Sequence, residues 1–196
     1  HTRYIGDWSS DVCSSDLRKA QEAGWDEAAS QVGLMDALVR NREFEKVLDD
    51  IQIKEEYPAN ARADLFGLKA FAEAASGYTG LAKESVKQGA ALDKYAFHLL
   101  KTGLQLDIAG NRSDLAVEKI EYALSRYEDN TDLLLLGAYL AMQDEAATVA
   151  ADKFQQVISL EPKNLVTNNG RKARLGLARV EIINKNLDHA KDLLAP

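Results

Sequence analysis

The sequence predicts an all-α chain assembled from repeated helix pairs, and three observations carry that expectation. Period-two alternation is nowhere sustained, and the β-branched and aromatic clusters that strands favour are missing. Only 3 of 196 residues are proline, with 46% apolar and 28% charged residues, a globular composition that leaves long helices uninterrupted. A pattern also recurs along the chain. A small residue is followed by an apolar one four further on: Ala82 with Val86, Ala116 with Ile120, Ala150 with Phe154, Ala190 with Leu194, and a weaker copy at Val47 with Ile51. The intervals are 35, 34, 34 and 40 residues.

In order, the spacing predicts ten helices in five hairpins, over 20–40, 42–56, 60–76, 79–92, 94–109, 113–127, 130–142, 145–160, 170–184 and 187–194. Asn60, Asn111 to Ser113 and Asp129 to Thr131 supply the polar side chains that satisfy the free N–H groups of a helix start. The long last interval holds six extra residues. Pro162 to Arg171, rich in Asn and Gly, is expected to hold most of them as a protruding loop.

The stretch Leu133 to Pro162 resembles the tetratricopeptide repeat (TPR) family, whose period is 34 residues. Leu136-Gly137 looks like its Leu-Gly pair, Ala150 like the small residue where paired helices touch, Phe154 like its aromatic, and Pro162 like its terminal proline. One residue too many separates Gly137 from Ala150, which puts the turn near Gln143 to Glu145 in question; a similar extra residue is expected at Gly110 to Ser113. In the last copy Leu177 and Ala178 take the Leu-Gly place. The resemblance implies a right-handed superhelical array of antiparallel helix pairs, a TPR-like α-solenoid of about five repeats. The phrasing from Ala173 to Leu194 is also similar to long TPR proteins of bacterial exosortase/PEP-CTERM exopolysaccharide systems, which would place the chain in the periplasm or cell envelope.

Residues 1–17 are expected to stand apart. Asp7 to Leu17 reads letter for letter as a translated high-throughput sequencing adapter, and His1 to Arg3 fits the same source. The repeat domain then spans 18–196, a fragment of a longer array whose natural N-terminus is missing. Trp8 and Cys13, the sole cysteine, fall outside it, so cysteine usage does not report the redox compartment. Without Arg3, Asp7, Asp11 and Asp16, the 24 basic and 31 acidic residues become 23 and 28, a net charge of −5. That balance argues against nucleic acid, which needs Lys and Arg gathered on one face. The longest apolar run, Leu133 to Met142, is far short of a membrane span.

No residue set points to catalysis, a cofactor or a metal. His98 and His189 stand alone; His98, between Phe97 and Leu99, reads as packing or rim, and His189 as solvent-facing. Gly77-Tyr78-Thr79-Gly80 with Lys83 is superficially like a phosphate loop but reads as an interhelical turn, with no preceding strand and no Gly-Lys-Ser/Thr. Glu55-Glu56, Asp49-Asp50 and Glu128-Asp129 read as solvated charge.

The expected functional surface is the concave groove that, by the resemblance, first helices line. Its candidate positions are Val32, Asp36, Gly67, Phe71, Leu100, Leu104, Leu134, Ala138, Leu175 and Arg179. The competing reading assigns Phe71, Leu100, Leu104 and Leu134 to ordinary core between repeats. The Lys, Arg and Asn clamp with which some relatives grip a peptide carboxylate is absent from these positions, disfavouring chaperone tails. The expected function is a non-enzymatic scaffold for a protein or peptide partner, an amphipathic helix or extended apolar segment if several of these residues are exposed. Two alternatives stand: a non-catalytic accessory segment of a larger enzyme such as a glycosyltransferase or kinase, and a self-assembly module whose ends stack on another copy.

Overall fold

A computed structural model describes residues 26–162 and 165–194; the adapter-like leader and the lead-in to Gly24 lie outside the described residues. Among the described residues the chain is all-α, with ten helices and no strand. They are α1 Glu27–Arg40, α2 Phe44–Asp50, α3 Ala59–Ala75, α4 Thr79–Asp93, α5 Phe97–Ala109, α6 Ser113–Arg126, α7 Thr131–Gln143, α8 Ala147–Ser159, α9 Asn168–Ile183 and α10 Leu187–Leu194.

The helices are joined in pairs by one turn used five times. Each first helix ends in a residue with left-handed backbone: Arg42, Gly77, Asn111, Glu145 and Lys185. The N–H that follows it reaches back five residues to a helix carbonyl, as in Glu43 to Leu38, Tyr78 to Glu73, Arg112 to Asp107, Ala146 to Ala141 and Asn186 to Glu181, all at 2.8–2.9 Å. This is the Schellman motif, which satisfies carbonyls that a helix end leaves free. Gly77 adopts the conformation without steric cost, whereas the other four carry a Cβ that disfavours it. The left-handed residues recur at the same 35, 34, 34 and 40 residues as the sequence pattern. The turns at 110–112 and 144–146 have the same hydrogen bonds as the rest, so neither holds an extra residue.

The extra residue was instead a matter of register. Twelve positions before the small residues Val47, Ala82, Ala116, Ala150 and Ala190 stand Met35, Ala70, Leu104, Ala138 and Ala178, and all ten are at most 3% exposed. Ala138, not Gly137, is therefore the partner of Ala150, and Leu104 the partner of Ala116. Gly137 faces sideways, where a Cβ would stand 3.2 Å from Ile120 of α6 and 3.1 Å from Lys153 of α8.

By contacts the chain divides into two compact units, 1–103 and 104–196. In the first, Leu34, Met35 and Leu38 of α1, Val47 of α2 and Leu65, Leu68 and Ala72 of α3 form one core, with Tyr57 from the connection. A smaller group joins Ala63 of α3 to Ala96 and Leu99 at the start of α5, with Val86 and Leu92 of α4 against it. In the second, Leu134, Leu135, Ala138 and Ala141 of α7 pack with Ala150, Phe154 and Val157 of α8 and Ala173, Leu177 and Val180 of α9. Helices α7, α8, α9 and α10 thus touch in sequence, and α7 also touches α9.

Three local expectations differ from the structure. The second helix, expected to reach 56, ends at Asp50; Ile51 turns extended (ψ 124°). Its β-branched neighbours and Tyr57, which precedes Pro58, favour extended backbone, and Ile51, Ile53 and Tyr57 gain more by packing on the first core. Among the expected caps, Asn130 does accept from Leu133 N–H (3.1 Å), but Asn60 lies inside α3 and Asn111 serves the left-handed turn. The residues expected in one protruding loop are partly helical: α9 has 16 residues where α7 has 13. The described ends of the connection are tied by Glu161, whose carboxylate accepts from Thr167 N–H (2.6 Å) and pairs with Arg174.

Candidate functional site

Once the five pairs are aligned on their turns, each first helix shows which side is left partly open. The residue six before the left-handed one is Asp36, Phe71, Gln105, Tyr139 and Arg179; none is buried. One turn on, Val39, Ala74, Ile108, Met142 and Ile182 are likewise only partly covered or exposed. Residues three or four apart share a helix face, so these positions mark the equivalent face of each first helix.

The predicted site residues divide accordingly. Val32, Asp36, Phe71, Leu175 and Arg179 lie on this face, with Gly67 buried within it. Leu104 (1% exposed), Leu134 (3%) and Ala138 (0%) do not reach solvent. Leu104 and Ala138 are the buried contacts within their own helix pairs, and Leu134 belongs to the second core, so these three are corrected from groove to core. Leu100 is half-buried and one position off the face. Gly137 does not take the small place; the positions eleven and fifteen before each repeating alanine are Gln105 and Lys101, then Tyr139 and Leu135, and of these all but buried Leu135 are partly open.

In the first unit the face sets Asp36 and Lys101 about one aromatic, Phe71. Asp36 pairs with Arg40 (2.7 Å), and its Oδ1 stands 3.8 Å from His98 Nδ1. Phe71 packs at a tilt on Phe44, ring centres 6.0 Å apart. Asp64 accepts a hydrogen bond from His98 N–H at 2.6 Å. Burial, with Asp93 and Asp36 nearby, pushes its carboxyl up to about 7, against the lowering effect of the His98 and Leu99 N–H groups. This cluster is a cap supplied by α3 to the start of α5, and its chemistry is positional: it fixes one helix against the next. His98 itself is half-buried, edge-on to Phe97 at 5.0 Å, in keeping with a packing role.

In the second unit the face is apolar with one cation. Tyr139 stacks edge-on to Phe154 (5.3 Å), while Leu175 (44% exposed), Arg179 and Ile182 (51%) open to solvent along α9. Away from the face, Asp107 is buried between Arg112 and Lys119, joining α5 to α6. Asn169 donates to Thr131 Oγ1 (2.9 Å) and Asp132 Oδ1 (2.7 Å), joining α9 to α7.

Other sequence candidates resolve simply. Gly77 and Tyr78 form the turn before α4, and Gly80 is inside that helix. His189 is exposed, 3.4 Å from Glu181. Among the described residues no three His, Cys, Asp or Glu side chains are placed to hold a metal ion, and no helix is long and apolar enough to cross a membrane. No family model matches the chain, and no curated protein matches it.

Proposed function

We propose that the chain is a TPR-like repeat scaffold that binds a protein or peptide through the partly open face of its first helices, without catalysing a reaction. The observation that supports this most is the fivefold recurrence of one turn, one buried helix-pair contact and one uncovered face. A fold that repeats a face without repeating any reactive residue on it is suited to extended recognition. The face carries Phe71 with Asp36 and Lys101 in the first unit, and Tyr139 and Met142 with Arg179 in the second; in each unit apolar anchors with flanking charge suit a partner segment of the same make-up. On this reading about five pairs wind into a right-handed superhelix, and the resemblance places such a scaffold in bacterial envelope or exopolysaccharide assembly.

The test is selection of binders from a displayed peptide library, followed by titration against Phe71→Ala and Tyr139→Ala. Loss of about 1–2 kcal/mol of binding for each, with helicity and melting nearly unchanged, is the expected result. Peptides that bind both variants as tightly as the parent would remove the groove from the account.

A further inference from the structure

We propose that Asn169 is a deamidation site, where attack by the Gly170 backbone nitrogen turns an amide that joins α9 to α7 into a carboxylate that drives them apart. The proposal stands apart from the binding reading. Of the asparagines in the chain only Asn169 precedes glycine; each of the others is followed by a residue whose Cβ crowds the backbone nitrogen. Both members of the pair are demanded by their surroundings. Asn169 Nδ2 donates to Thr131 Oγ1 (2.9 Å) and Asp132 Oδ1 (2.7 Å), two acceptors that an amide satisfies together. A Cβ at Gly170 would lie 1.8 Å from Glu161 Oε1, and that carboxylate is itself held by Thr167 N–H at 2.6 Å and by Arg174 at 2.5 Å. The joint between α7 and α9 is thus built on the dipeptide in which a side-chain amide is least shielded from its neighbour's nitrogen.

The folded joint holds the reaction back, because Gly170 N–H is engaged by Thr167 Oγ1 (2.9 Å) in the first turn of α9 while the Asn169 amide is turned towards α7. Local opening of that turn frees both. The Gly170 nitrogen then gives its proton to solvent base and bonds to Asn169 Cγ; the Cγ–Nδ2 bond breaks and ammonia leaves, closing a cyclic succinimide. Water adds to one of the two ring carbonyls. Opening at Cγ leaves aspartate, whereas opening at the main-chain carbonyl leaves isoaspartate, which routes the chain through Cβ and Cγ and lengthens the backbone of the turn. Either product sets a carboxylate against Asp132 where the amide had donated, and like charges at that distance repel. The change runs one way, releasing α9 from α7.

The test incubates the full chain in mildly alkaline buffer, natively and in urea, and follows each asparagine by digestion and mass spectrometry. In urea Asn169 should convert before any other asparagine. In the native chain it should convert about ten- to a hundredfold more slowly, as expected for a turn held by one cap and two side-chain hydrogen bonds. Thr167→Ala removes the cap and Thr131→Val one acceptor of the amide; each should raise the native rate about three- to tenfold and leave the urea rate unchanged. Asn169→Asp should lower the denaturant midpoint at neutral pH and recover it in acid, where protonation relieves the repulsion. A native rate equal to the urea rate or more than about a thousandfold below it, variants that leave the native rate unchanged, or an Asn169→Asp chain as stable as the parent each overturn the proposal. Circular dichroism checks that the variants fold; if one does not, the parent decides alone, since its rate at Asn169 should climb in low urea before helicity is lost.

Discussion

The joint between α3 and α5 and the joint between α8 and α9 use the same parts with opposite electrostatics. Each brings a glycine to a close contact and sets a carboxylate under the N–H groups that open the next first helix. At the first, Gly67 presses on the backbone of His98 and Leu99, and Asp64 receives His98 N–H. At the second, Gly176 presses on the Phe154 ring, and Glu161 receives Thr167 N–H. Asp64 has acidic neighbours and its carboxyl is pushed up to about 7. For Glu161, burial works in the same upward direction, but the Arg174 guanidinium and the Thr167 N–H hold it below the usual range. The same backbone task is thus met by a carboxyl that prefers to be neutral and by one that prefers to be charged.

The widest separation between the joints is expected in pH dependence. Asp64 binds its proton more tightly folded than unfolded, so its contribution is full below about pH 4 and is lost as pH rises to about 7. A displacement from 3.8 to about 7 is worth at most about 4 kcal/mol at 1.36 kcal/mol per tenfold. Glu161 behaves oppositely: its contribution is present above its ordinary 4.5 and is lost as pH falls below it. Denaturant midpoints between pH 3 and 8 should show Asp64→Asn flattening the loss above pH 4, and Glu161→Gln flattening the loss at the acid end. Indistinguishable profiles for the two variants would erase the contrast.

The glycines should differ next. A Cβ at Gly67 would lie 2.4 Å from Leu99 N, and backbone cannot swing aside, so Gly67→Ala is expected to cost about 3 kcal/mol. At Gly176 the obstacle is the outer edge of a ring, 2.3–2.7 Å away, and Gly176→Ala should cost about 1–2 kcal/mol. Adding Phe154→Leu should recover part of that cost at Gly176, whereas no side-chain change at Leu99 should rescue Gly67→Ala. Chemical denaturation of the double variants decides it.

The smallest effects belong to the turns that all pairs share. Glu145→Gly and Lys185→Gly should each raise stability by about 0.5–1 kcal/mol, since the backbone is left-handed at both. Gly77→Ala should lower it by about 1 kcal/mol with no clash, because a Cβ there meets nothing within 4 Å. Equal melting temperatures across the three would mean the turns carry less strain than their dihedral angles imply.

The repeat was legible because the small residues at 82, 116, 150 and 190 answer to a local demand: the first turn of each second helix lies directly on its partner helix, where a small side chain fits best. The site was less legible. Asp36, Phe71 and Arg179 lie on the partly open side of their helices whereas Leu104 and Ala138 are buried, since a glycine in sequence does not reveal which neighbouring helix it accommodates. Gly137 admits Ile120 and Lys153 from two other helices rather than marking the pair contact.

By itself the sequence determined the all-helical class and the period of the turns among the described residues, because those follow from propensity, spacing and hydrogen bonds within a few residues. Tertiary structure alone decided that Asp64 sits neutral-prone under α5 while Glu161 is held charged beside Arg174, that α2 stops at Asp50 so that Ile51 and Ile53 can pack, and that Leu194 stays open where Phe154 is covered. Each depends on what lies across the helix from a residue, and contacts between separate helices leave no local mark in the order of amino acids.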